Sequence, residues 1–201
     1  MNRLDRKVVR NVVITAIGVV AVLCLIPGIA FFLLTGPAPT DDWGVSWLMP
    51  TEDAAARLDE KIETLREDIE SAASGDVLVL EITEEEATSK LDKMARDGNL
   101  SLSIEYPQVY FSDGLARAEA QVHLVVDVDT AVQIEITARE GRADFTVRRL
   151  DLGRLGIPKT LINNVMTAME HELGARWDEL PVTIDDIVIG PGVLTVTMVK
   201  K

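Results

Sequence analysis

Residues 132–147, VQIEITAREGRADFTV, decide the fold class. Val132, Ile134 and Ile136 alternate with Gln133, Glu135 and Thr137, and Phe145 and Val147 alternate with Asp144 and Thr146. A period of two with polar residues on the other phase is a half-buried strand with one wet face. Glu140-Gly141 lies between the two stretches and supplies a turn, so the segment reads as a hairpin. Upstream, Leu100, Leu102, Ile104 and Tyr106 repeat the pattern, as do Val122, Leu124, Val126 and Val128. Ser112-Asp113-Gly114 and Asp129-Thr130 are the expected turns between them, which gives an antiparallel meander.

Other elements flank the meander. Val77 to Ile82 reads as a short apolar strand running into Thr83-Glu84-Glu85-Glu86, where Thr83 can cap a helix and Glu86 can reach back to close a capping box. That short helix is expected to bury Ala87, Leu91 and Met94 and to stop at Asp97-Gly98. After the meander Pro158 opens a longer helix, with Leu161, Ile162, Val165, Met166, Met169, Leu173 and Trp177 on one broad face. Two last strands, Val182 to Ile189 and Val193 to Val199, are joined at Gly190-Pro191-Gly192, and Asp185-Asp186 shifts the alternation as a bulge does. The expected fold is α+β: an antiparallel sheet of six to seven strands with one long helix and a short helix.

The chain upstream of residue 76 is organised differently. Val12 to Leu34 is a run of 23 residues without a charge. As a helix it spans roughly 34 Å, enough to cross a hydrocarbon core of about 30 Å. Arg3, Arg6, Lys7 and Arg10 precede it, and Asp41 and Asp42 follow it, which places the N-terminus in the cytoplasm and the rest outside, as a single-pass protein of the cytoplasmic membrane. A secretory signal has an apolar region of about 7 to 15 residues, so the run reads as an uncleaved anchor. The expected order is a basic tail at 1–11, a transmembrane helix at 12–34, a linker at 35–51, a stalk helix at 52–75 and an extracytoplasmic domain at 76–201. Trp43 and Trp47 in the linker either rest on the outer surface of the bilayer, where an indole ring is half apolar and half wet, or pack on the domain. Ala55, Leu58, Ile62, Leu65, Ile69 and Ala72 form a narrow seam on the stalk, open either to packing on its own domain or to a homodimer through residues 55–72.

Charge and composition exclude several function classes. The net charge of -13 divides into +3 over residues 1–11, -7 over 41–75 and -9 over 76–201, so no basic face for nucleic acid is expected. The single cysteine, Cys24, lies within the apolar run and cannot staple the domain. Two histidines, His123 and His171, leave little for histidine chemistry. His171-Glu172 starts like a zinc-protease helix, but Ala175 stands where the second ligand is needed. No nucleophile elbow, phosphate loop or dinucleotide fingerprint occurs. No catalytic residue, metal or cofactor is therefore expected. One local excess of positive charge remains, in Arg139, Arg142, Arg148, Arg149, Arg154 and Lys159, which is read either as a patch facing anionic headgroups or as a charged strand edge.

Three stretches carry a family resemblance: Thr83-Glu84-Glu85-Glu86 leading to Leu91, Leu152-Gly153-Arg154-Leu155-Gly156-Ile157-Pro158, and Gly190-Pro191-Gly192-Val193-Leu194-Thr195-Val196. Together with the anchor they resemble the small membrane-anchored YpmS-like proteins and, more distantly, the phospholipid-binding LmeA-like proteins of the actinobacterial envelope. The resemblance implies a curved sheet wrapped on a helix, membrane lipid as the partner and no catalytic residues. A sheet curling around one helix leaves either a filled core or an apolar groove. The groove expected here is lined by Leu124, Val126, Ile134, Ile136 and Phe145 from the meander, Val165, Met166 and Met169 from the helix, and Val196 and Met198 from the last strand. A non-enzymatic lipid-binding or lipid-handling module is the first functional expectation. An envelope scaffold that dimerises through the stalk is the second.

Overall fold

The computed structural model describes residues 32–33, 35–38, 46–100, 103–123, 126–158 and 181–201. Two helices and eight strands lie among them: α1 (Glu52–Ser71), β1 (Val77–Thr83), α2 (Glu84–Arg96), β2 (Ser103–Ser112), β3 (Leu115–His123), β4 (Asp127–Arg139), β5 (Arg142–Leu152), β6 (Leu155–Gly156), β7 (Val182–Gly190) and β8 (Val193–Lys200). The molecule is α+β. The expected transmembrane helix, apart from Phe32 and Leu33, and the expected long helix beyond Pro158 lie outside the described residues, as do Trp43, Leu124, Val165, Met166, Met169 and Lys159. No helix among the described residues is long and apolar enough to cross a membrane.

The strands form two antiparallel sheets, in the orders β1-β8-β7 and β2-β3-β4-β5-β6, where one sheet of six to seven strands was expected. The division follows from what happens at Thr83. β1 runs directly into α2 through the expected capping box, in which Glu86 N donates to Thr83 Oγ1 (3.2 Å) and Thr83 N to Glu86 Oε2 (3.0 Å). The helix then lies along the outer edge of β2. Thr88 Oγ1 accepts from Val109 N (2.9 Å) and donates to Val109 O (3.3 Å), and Glu84 Oε1 accepts from Phe111 N (2.6 Å). An open strand edge needs such partners or a further strand. With helix side chains on that edge, β1 pairs with β8 instead, from Val77↔Val199 to Thr83↔Val193.

The same arrangement corrects the expected burial of α2. Its buried residues are Glu86, Thr88 and Ser89, while Ala87, Leu91 and Met94 are half-buried. Each buried polar group has a partner: Thr88 holds β2, Ser89 Oγ accepts from Thr51 N (3.0 Å), and Glu86 meets Lys61 Nζ of α1 at 2.8 Å.

A second correction concerns the meander. The turn expected at Asp129-Thr130 lies inside β4, whose register with β3 places Asp129 opposite Gln121 and Thr130 opposite Ala120. β3 was hidden because its apolar phase is carried by Ala116, Ala118 and Ala120, which mark alternation poorly. The turns at Asp113-Gly114, Glu140-Gly141 and Pro191-Gly192 fall where expected. So does the bulge at Asp185, between Ile184 and Asp186.

α1 packs within the chain. Ala54, Ala55 and Leu58 are buried, and Leu65 and Ile69 pack on the cluster of Val182, Ile184 and Met198 in the small sheet. Ile62, from the expected seam, is 46% exposed. The two sheets are joined where Ile184 N donates to Gly141 O (2.9 Å) and Gly192 N to Phe111 O (2.8 Å).

Glu86 provides a pH test of the α1–α2 contact. Burial works to raise its carboxyl, but the Lys61 ammonium and the Thr83 N–H more than offset this and hold it below the ordinary 4.5. A depressed carboxylate contributes stability that is present above pH 4.5 and lost as pH falls through the lower folded value. We expect Lys61→Ala to cost about 1 kcal/mol near neutral pH, since the ammonium is partly exposed. Urea denaturation of both proteins should show this difference closing once Glu86 is protonated.

Candidate functional site

The apolar phase of the large sheet is continuous. On β4, Val128 is buried and Thr130, Val132, Ile134 and Ile136 are half-buried. On β5 the register partners of Thr130, Val132, Ile134 and Ile136 are Leu152, Leu150, Val147 and Phe145, and on β3 Val128, Thr130, Val132 and Ile134 face Val122, Ala120, Ala118 and Ala116. An extra residue at Arg148, opposite the step from Gln133 to Ile134, switches the β5 phase and keeps Leu150 and Leu152 on the apolar face. Ala116, Ala118 and Ala120 of β3 put short side chains beside the longer ones of β4 on this face. From Val128 to Ala138 the face runs about 33 Å along β4. Its far end meets the small-sheet core, where Ala138, Ala143 and Val196 pack around Val182, Ile184 and Met198. Among the described groove residues, Ile134, Ile136 and Phe145 thus share one face. Val196 and Met198 belong to the adjoining core, and Val126 stands at the bend before β4. The alanine strip is as faint in the sequence as β3 itself, because alanine marks alternation poorly.

The opposite face of the sheet holds the linker. Gln108, fully buried, imitates a strand: its Oε1 accepts from Leu48 N (2.8 Å) and its Nε2 donates to Leu48 O (3.0 Å). Leu48 and Ala38 pack on Tyr110 and Ala131. The Tyr110 hydroxyl donates to Glu119 Oε1 (3.2 Å); burial first, then Glu119, pushes its pKa above the ordinary value of 10. With Leu48 turned in, its neighbours Trp47 and Met49 turn out, and they are 54% and 75% exposed. Beside them stands Tyr106, 63% exposed, in a bulge between Glu105 and Gln108 of β2. A cavity of about 260 Å³ lies on one side of Trp47 and Tyr106, lined also by Pro37, Ala38, Glu119 and Asp129, and another of about 480 Å³ lies on the other, lined also by Met49, Glu52, Asp92 and Arg96. Pro107 was the overlooked signal, because proline inside a strand marks an edge or a bulge.

The five described bases of the expected patch, Arg139, Arg142, Arg148, Arg149 and Arg154, are not gathered into one place. Arg139 and Arg142 flank the β4–β5 turn, and Arg154 lies beyond the other end of β5, about 33 Å away along the strand. Arg148 pairs with Glu135, Arg149 Nε is 2.6 Å from Asp151, and Arg139 is 4.0 Å from Asp144. Arg154 does something different. Its backbone N donates to Leu33 O (2.7 Å), its guanidinium stands 4.5 Å from the centre of the Phe32 ring, and a Cβ at Gly36 would collide with its side chain. The end of the apolar run is thereby held on the Gly153-Arg154 turn. That turn is in turn fixed to β4, since Gly153 N donates to Asp129 O (2.6 Å).

His123 Nδ1 lies 2.5 Å from Asp127 Oδ1 at the exposed β3–β4 end. No group of three or more metal-ligating side chains occurs among the described residues. No family model, curated protein or solved structure matches the chain.

Tyr106 has a φ of 52°, a left-handed conformation that costs a bulky residue about 1 to 2 kcal/mol. Glycine removes that cost and loses some of the gain to its freer unfolded chain. We expect Tyr106→Gly to raise stability by up to about 1 kcal/mol in chemical denaturation, showing that the ring is kept at the expense of stability.

Proposed function

We propose that this chain is a non-enzymatic lipid-binding module, held by residues 12–34 at the outer face of a cytoplasmic membrane, and that it takes acyl chains along a trough on the apolar face of the large sheet. The observation that carries this reading is the continuous, half-buried apolar phase of β3, β4 and β5 with its floor of Ala116, Ala118 and Ala120. Its length of about 33 Å exceeds the roughly 15 Å of one hydrocarbon leaflet. Ligand sites of this kind are lined mainly by apolar side chains, with a few polar groups at the mouth. Thr130 on the apolar phase and Arg154 at the same end of the sheet fit that description. The contact of Arg154 with Phe32 and Leu33 supports the membrane part of the reading, because it brings the end of the apolar run to one end of the trough.

The test fills the floor. Ala118→Phe places a ring between Val109 and Val132, its neighbours in register. In an open trough this should abolish uptake of a fluorescent phospholipid by the full-length protein and leave the melting temperature close to the parent's. In a closed core the same change would cost about 1 to 3 kcal/mol through overpacking. A large fall in melting temperature, with no uptake by the parent protein, would overturn the proposal.

A further inference from the structure

Trp47, Met49 and Tyr106 are three of the most exposed large apolar side chains among the described residues, and they lie together. Their exposure is built in. The clasp of Gln108 on Leu48 turns Trp47 and Met49 outward, and the bulge at Tyr106 holds its ring out in a left-handed backbone conformation. Among the charges beside them, Arg96 bridges Glu52 (2.8 Å) and Asp92 (2.9 Å).

Their place in the sheet identifies what covers them. Tyr106 near the start of β2 and Asp129 near the start of β4 line one cavity together with Pro37, Ala38 and Trp47. Asp129 O holds Gly153, and the adjoining Arg154 holds Phe32 and Leu33, the end of the apolar run. The exposed aromatics and the point from which the run departs therefore share one end of the large sheet. If residues 12–34 cross a bilayer, that end must stand next to the headgroups, because no chain length separates Leu33 from the sheet. Tryptophan and tyrosine partition to that depth, where the ring meets apolar chains and the polar tip meets water.

We propose that Trp47, Met49 and Tyr106 form a seat by which the domain rests on the surface of the bilayer that anchors it. The seat opens the near end of the trough to the headgroup region and fixes the orientation of the domain. It rests on the anchor reading given above.

The test uses the full-length protein in vesicles of phosphatidylcholine with a minor fraction of phosphatidylglycerol. A spin label is placed on native Cys24 or, in Cys24→Ser protein, on Glu105→Cys beside the seat or Thr137→Cys near the far end of β4. Relative accessibility to oxygen and to a water-soluble nickel relaxant reads the depth of each label. The proposal expects the Cys24 label in the hydrocarbon, the 105 label at headgroup depth and the 137 label in water. It also expects Trp47→Ala with Tyr106→Ala to return the 105 label to water while leaving the Cys24 label where it was. A 105 label in water with Cys24 in hydrocarbon overturns the seat and leaves the anchor standing. A Cys24 label in water overturns both. Dipolar broadening between 105 labels assigns the surface to a second copy and overturns the seat.

Discussion

Three hydrogen bonds around Glu84 and Gly192 hold the fold together. Glu84 N donates to Gly192 O (3.1 Å), Gly192 N donates to Phe111 O (2.8 Å), and Phe111 N donates to the Glu84 carboxylate (2.6 Å). The start of α2, the turn of the small sheet and the edge of the large one meet there, and each satisfies polar groups that the others would leave unpaired. Gly192 has a φ of 78°, so the turn that offers both its N–H and its C=O to this junction requires glycine. The position of β1 follows from the junction. Once α2 occupies the edge of β2, the first strand can pair only elsewhere, and the chain closes by joining β1 to β8.

This closure gives the large sheet two unlike faces. One face receives the linker through Gln108, Tyr110 and Leu48 and carries most of the charge, including the pairs of Arg148 with Glu135 and Arg149 with Asp151. The other is apolar from Val122 to Phe145. The paired arginines bear directly on function. A positive patch for anionic headgroups needs charges that are free and close together, whereas these are matched by neighbouring carboxylates and spread along a strand. Apolar shape, with the aromatic residues at one end, is the more economical basis for the proposed contact with lipid.

The α+β class, the capping box at Thr83 and Glu86, the hairpin at Glu140-Gly141 and the bulge near Asp185 were legible in the sequence, because each depends on local chemistry within a few residues. What was not legible depends on partners distant in the chain. Thr88 and Ser89 look like ordinary helix-surface residues until an unpaired strand edge and the N-terminus of α1 are placed beside them. Gln108 looks like a strand polar residue until Leu48, 60 positions away, is laid against it. β3 escaped notice because alanine sits between the apolar and polar classes on which alternation is judged, and its alanines became the floor of the proposed site. The seat escaped for a similar reason: Trp47 stood out by composition, but Met49 and Tyr106 join it only through the Gln108 clasp and the Pro107 bulge.

The central claim is that lipid lies along one phase of β3, β4 and β5, and photocrosslinking tests it most directly. A phospholipid with a diazirine in its acyl chain would be bound to the full-length protein, irradiated, and the adducts located by peptide mass spectrometry. The account predicts adducts on the apolar phase, at Ala118, Val132, Ile134 and Val147, in addition to those expected within residues 12–34. Adducts confined to residues 12–34, or falling on Gln133 and Glu135 of the opposite phase, would contradict it.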